Sequence, residues 1–91
     1  MEAWLKCFVG PGQFSDEFAV KIKLSNGLIS SLFASSGDVQ VEDQNNEGEV
    51  RAKLRITKID EKDDLALIQL PHPTFENGQT ITVKKTQLIP A

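Results

Sequence analysis

Glu49 to Lys85, EVRAKLRITKIDEKDDLALIQLPHPTFENGQTITVKK, is the stretch whose reading decides the fold. Val50, Ala52, Leu54 and Ile56 alternate with Arg51, Lys53, Arg55 and Thr57. That is the period of a strand with one face buried and one face wet. Asp60-Glu61-Lys62-Asp63-Asp64 follows as a polar turn, Leu65 to Leu70 reads as a second strand, and Gln79 to Lys84 as a third. Together they predict a three-stranded antiparallel meander. The long connection inside it, Pro71 to Gly78, is stiffened by two prolines and leaves through Asn77-Gly78.

Working outward, Ala3 to Val9 is the first strand, with Ala3, Leu5, Cys7 and Val9 on one face and Trp4, Lys6 and Phe8 on the other. Both faces carry large apolar groups, so the strand is expected to be covered on both sides or to lie at an interface. Gly10-Pro11-Gly12 ends it. Val20 to Leu24 alternates at period two, and Ser25-Asn26-Gly27 suits a type I′ hairpin. Leu28 to Ala34 is the returning strand, and Val39 and Val41 form a short one after Ser35-Ser36-Gly37. Glu42 to Gly48 is polar throughout and reads as a surface loop.

The chain has 91 residues, the size of one domain with one small core. The expected core is Leu5, Cys7, Val20, Ile22, Leu24, Val50, Leu54, Ile56, Ala66, Ile68, Ile81 and Val83. A net charge of −3 argues against a protein devoted wholly to wrapping nucleic acid but leaves room for a local basic patch. Cys7 is the single cysteine, so no intrachain disulfide can form. The N-terminus lacks the basic start and unbroken apolar run of a signal peptide, and no segment approaches the roughly 20 apolar residues of a membrane span. The expectation is a cytoplasmic protein without a membrane segment.

After Val83, the residues Lys84-Lys85-Thr86-Gln87-Leu88-Ile89 read as a 3₁₀ turn and a brief closing strand. With the pair before them they resemble the end of an SH3-like small barrel, over about a third of the chain. The resemblance implies an all-β fold, a small SH3-like barrel or strongly twisted antiparallel sheet of about six or seven strands. It does not imply binding of proline-rich peptides, because there is no ALYDY-like segment and no tyrosine. An OB-type barrel is the nearest rival, and only Ser15 to Lys23 offers the helix it requires.

Chemistry-bearing residues are sparse. Cys7 and His72 are each alone of their kind. A thiolate needs a base or a positive field beside it, and Cys7 lies within an apolar alternation, which predicts an inert buried thiol. His72, between Pro71 and Pro73, reads as an exposed loop side chain. The acidic runs Glu42-Asp43 and Asp60 to Asp64 lack a calcium-loop pattern, and zinc has too few ligands. Gly10-x-Gly12 is not followed by a helix with a third glycine, so the dinucleotide fingerprint fails. No cofactor, no metal and no enzymatic activity are expected. An enzyme would need a site assembled from scattered carboxylates, lysines or His72.

Two surfaces remain. Trp4, Phe8, Phe14 and Phe18 form an aromatic candidate for a protein partner. Trp4 is expected either under the loop from Gly10 to Glu17, covered by Phe14 and Phe18, or at a self-association interface. Burying such an aromatic is worth about 1.5–3 kcal/mol. Lys21, Lys23, Arg51, Lys53 and Arg55 form a basic candidate for phosphates, with Lys84 and Lys85 ending a third strand. Nucleic-acid binders of this size usually add stacking aromatics. None is expected to interleave with Arg51, Lys53 and Arg55, and Thr57, Thr80 and Thr82 are the expected neighbours. The leading expectation is a non-catalytic module that binds protein or self-associates. A nucleic-acid-binding barrel using the basic face is the alternative.

Overall fold

The computed structural model describes residues 1–42 and 50–90. In chain order these form β1 (Glu2–Pro11), β2 (Glu17–Lys23), β3 (Ile29–Ser35), a 3₁₀ turn (Ser36–Asp38), β4 (Val39–Val41), β5 (Val50–Lys62), β6 (Leu65–Thr74), β7 (Gly78–Lys84), a second 3₁₀ turn (Lys85–Gln87) and β8 (Leu88–Pro90). The loop expected over Glu42 to Gly48 lies, from Asp43 onward, outside the described residues. The segment with a helical alternative, Ser15 to Lys23, contains β2 and no helix.

All the strands belong to one antiparallel sheet, with the path β3-β2-β1-β5-β6-β7. β5 runs beside β1 from Glu2↔Thr57 to Val9↔Val50. The opposite edge of β1 is divided between β8, which pairs Ala3 to Leu5, and β2, which pairs Phe8 to Pro11. β4 pairs with Ala52 to Leu54 of β5, and β6 takes over the same edge from Thr57 onward. Strands that change neighbours partway along an edge go with a strongly curled sheet. The result is an all-β half-barrel.

The core lies inside the curl. Every residue of the expected core is buried except Val50, which is half-buried at the rim and packs against the others. Ala3, Val9, Leu32, Ala34, Val39, Ala52 and Leu70 complete it. Each takes its place by the same period-two alternation.

Three turns differ from expectation. The β2–β3 connection is a three-residue loop closed by Leu24 N–H to Leu28 O at 2.8 Å, not a type I′ turn. Gly27 has φ +89 while Asn26 stays out of the left-handed region, and the Asn26 side chain instead accepts the Leu28 N–H at 3.0 Å. A type I′ turn would need both residues at positive φ. The acidic turn is shorter than Asp60 to Asp64. β5 and β6 stay paired to Lys62↔Leu65, which leaves Asp63-Asp64 as the turn, with Asp63 at φ 56. A bulge at Ile59 makes this possible by shifting the register between Lys58 and Asp60.

The third difference is the stretch from Pro71 to Gly78, expected to be a loop. β6 continues to Thr74, and the prolines fall where β6–β7 pairing is interrupted, between Gln69 and Thr74. Their missing N–H groups therefore cost the ladder nothing. The hairpin tip docks on β3 and ties the ends of the curl together. The Phe75 N–H donates to Ser31 O at 2.9 Å. The Glu76 carboxylate accepts the Ser31 N–H at 2.8 Å and the Ser31 hydroxyl at 2.9 Å. Fully buried Ser30 donates to Asn77 Oδ1. The Phe33 and Phe75 rings meet edge to face at 5.5 Å. On the same seam the Ser25 N–H donates to Thr82 O at 3.1 Å and Gln87 Nε2 to Lys23 O at 2.8 Å.

Candidate nucleic-acid interface

Because β1 and β5 are partners, the outward residues of each interleave. Trp4 lies opposite Arg55, Lys6 opposite Lys53, and Phe8 opposite Arg51. β2 adds Lys21 on the other side of Phe8, with Lys23 on the same outward face two residues along. β4 adds Gln40 beside Lys53, and β8 adds Ile89 beside Trp4. The outer face of the curl is thus three rows: Ile89–Trp4–Arg55, Lys6–Lys53–Gln40 and Lys21–Phe8–Arg51.

This corrects the expectation that no aromatic accompanies Arg51, Lys53 and Arg55. Of the threonines expected there, Thr57 is a neighbour, on the same face two residues past Arg55 and opposite Glu2, whereas Thr80 and Thr82 are on β7, beyond β6. Lys84 ends β7 and Lys85 pairs with Glu61 at 3.4 Å beside Met1 and Glu2, so neither stands in these rows.

The electrostatics of the face follow from its register. Side chains directly opposite in an antiparallel pair sit about 4.5–5.5 Å apart, and like charges there repel. Lys6 and Lys53 are such a pair, and among the described residues neither makes an ion pair. The guanidinium of Arg55 lies 5.3 Å from the centre of the Trp4 ring, within cation–π range. Phe8 is 51% exposed although it stands in the middle of the sheet. Acids stand at the ends of the face: Glu2 follows Trp4 on β1, and Glu42, whose N–H donates to Arg51 O at 3.0 Å, comes beside Arg51 two residues after Gln40.

The other candidate residues are not brought here. Phe18 turns inward and packs against the core, and Phe14 stands 68% exposed in the loop after β1. Neither covers Trp4 or Phe8, so the expected shelter under the Gly10 to Glu17 loop is not what flanks Trp4. Its flanks are Arg55 and Ile89. Phe14 and Phe18 instead line an open apolar groove of about 650 Å³ with Val9, Pro11, Val41 and Val50.

Cys7 is buried in β1, and burial, aided by the charge of Glu42, pushes its thiol up to about 12. It is protonated at neutral pH and is no nucleophile. His72 is exposed on β6 beside Phe33 and Phe75, with β5 between its strand and the Cys7 strand in the sheet order. Among the described residues no three His, Cys, Asp or Glu side chains gather to hold a metal. Among them, too, no helix is long and apolar enough to cross a membrane.

No family model matches this chain, and no curated protein or solved structure matches it.

The signal that would have located the face was divided between two strands. Trp4, Lys6 and Phe8 share one face of β1, and Arg51, Lys53 and Arg55 one face of β5. Their adjacency comes only from the pairing of strands some fifty residues apart in sequence, as in Lys6↔Lys53.

Proposed function

We propose that this protein is a non-catalytic module that binds nucleic acid through the outer face of β1, β5 and β2. The observation that carries the reading is the register Trp4↔Arg55, Lys6↔Lys53, Phe8↔Arg51, which alternates cations and aromatics across two strands. Phosphates supply the anion that Lys6 and Lys53 together lack, and bases supply π-faces for the rings. The net charge of −3 is no obstacle. Salt screens exposed charges beyond about 8 Å at physiological ionic strength, so the local face governs contact with a phosphate.

A face built for protein would rest on the apolar second side of β1. The register surrounds that side with lysine and arginine, which favours a polyanion. Protein binding or self-association retains the groove beside Phe14 as its own support, without a cationic frame. In this reading the strand, 3₁₀ turn and short strand at the end of the chain belong to an SH3-like barrel. The setting is the cytoplasm, in keeping with a single free thiol.

The test is an anisotropy titration of labelled RNA and DNA oligonucleotides at about 50 and 200 mM salt. Binding should weaken steeply with salt, and Arg51→Gln should weaken it further and flatten the salt dependence. No binding to either polymer at low salt would remove this function.

A further inference from the structure

Resting on that reading, we infer that the ligand is a single strand, with one base stacked on Phe8, another on Trp4, and the backbone between them held by Lys6 and Lys53. The two rings are four residues apart on β1, which at about 3.3 Å per residue sets them roughly 13 Å apart. Bases in a duplex step by about 3.4 Å per strand and have their faces covered by one another. Two protein rings at this separation can each take a base only from a strand whose bases are splayed apart, which is how small sheets take up single strands.

The lysine pair lies midway. Lys6 is two residues from each ring, and Lys53 is directly across from it. A phosphate bridging them removes the like-charge repulsion that the free face carries. Arg55, over one side of the Trp4 ring, both stacks and neutralises, and Arg51, opposite Phe8 in the register, supplies a second guanidinium to a phosphate. The face is the outside of a curl, so a stiff duplex meets it along a short line, whereas a flexible strand can follow the rows. The two rings with the lysine pair between them occupy only a short run of strand, toward the low end of site sizes for small barrels.

The experiment compares four probes on the whole chain: a thymidine oligomer of about eight nucleotides, its duplex, the same strand with abasic sugars, and inorganic polyphosphate. The thymidine strand should bind tightest and quench Trp4, the single tryptophan. Phe8→Leu, which keeps apolar bulk on an exposed site, should weaken the thymidine strand about 5- to 150-fold with its salt slope unchanged. Lys53→Gln should instead lower the slope by about 0.7. If abasic strand or polyphosphate binds as well as thymidine, or Phe8→Leu has no effect, stacking is refuted while phosphate binding stands. A duplex bound as tightly as the strand refutes the single-strand assignment. If no probe binds at low salt, the functional reading itself falls, and binding to poly-glutamate in that case points to an acidic protein instead.

Discussion

Lys6 and Lys53 face each other directly across the β1–β5 ladder, at the centre of a face where Trp4 and Phe8 stand two residues to either side. Their mutual repulsion burdens the free protein and their joint field attracts an anion, so stability and binding pull in opposite directions at this pair. Lys53→Gln should raise the melting temperature at low salt, by a stability gain on the scale of cross-strand pairs, about 0.2–1 kcal/mol. The gain should fade near 1 M salt, where screening reaches about 3 Å. The same variant should bind nucleic acid more weakly. A lower melting temperature at low salt would show that the pair is not in repulsion.

Cys7 gives a pH signature at the alkaline end. Its folded thiol is raised from the ordinary 9.0 to about 12, chiefly by burial. The unfolded chain therefore releases this proton first. The contribution of the thiol to stability is complete below pH 9.0 and is lost as pH climbs toward about 12. The stability difference between wild type and Cys7→Ala, from denaturant melts at several pH values, should shrink over that window. A difference that does not change with pH would contradict a buried neutral thiol.

At the acid end the sensitive group is Glu76. Its carboxyl lies below its ordinary 4.5, first because the Ser31 N–H donates to it and then because the Ser31 hydroxyl does. This group stabilises the seam above pH 4.5, and that support disappears as pH falls through its lowered value. Carboxyl NMR should place the Glu76 midpoint below 4.5, and Glu76→Gln should blunt the acid-side loss of stability. A midpoint at or above the ordinary value would mean that the β6–β7 tip does not clamp β3 in solution.

The loop after β1 depends on one glycine more than on its neighbour. A Cβ on Gly12 would sit 2.6 Å from the Glu17 carbonyl oxygen, the atom to which the Gly12 N–H donates at 3.2 Å. Both are main-chain atoms that cannot swing aside. Gly12→Ala should cost about 1–3 kcal/mol, as overpacking does. Gly10→Ala meets nothing within 4 Å and should stay within about 0.5 kcal/mol of wild type. Equal melting midpoints for the two variants would mean that this loop is not held as described.

The sequence by itself determined which side of β1, β2, β5, β6 and β7 faces the core. Period two sorts Leu5, Cys7, Leu54 and Ile56 from Trp4, Lys6, Lys53 and Arg55 through local geometry alone, and all four apolar residues are indeed buried. It also located the 3₁₀ turn and closing strand at the end of the chain, because short polar runs between apolar residues leave few other conformations. It could not say which strands are neighbours. Pairing β1 with β5 satisfies the hydrogen bonds and the burial of the whole sheet at once, and no local pattern encodes that choice. The same limit hid the seam, where Ser31 and Glu76 meet across 45 residues. The cation–aromatic rows belong to tertiary structure for the same reason: each strand carries half of the face, and only the ladder between them brings the halves together.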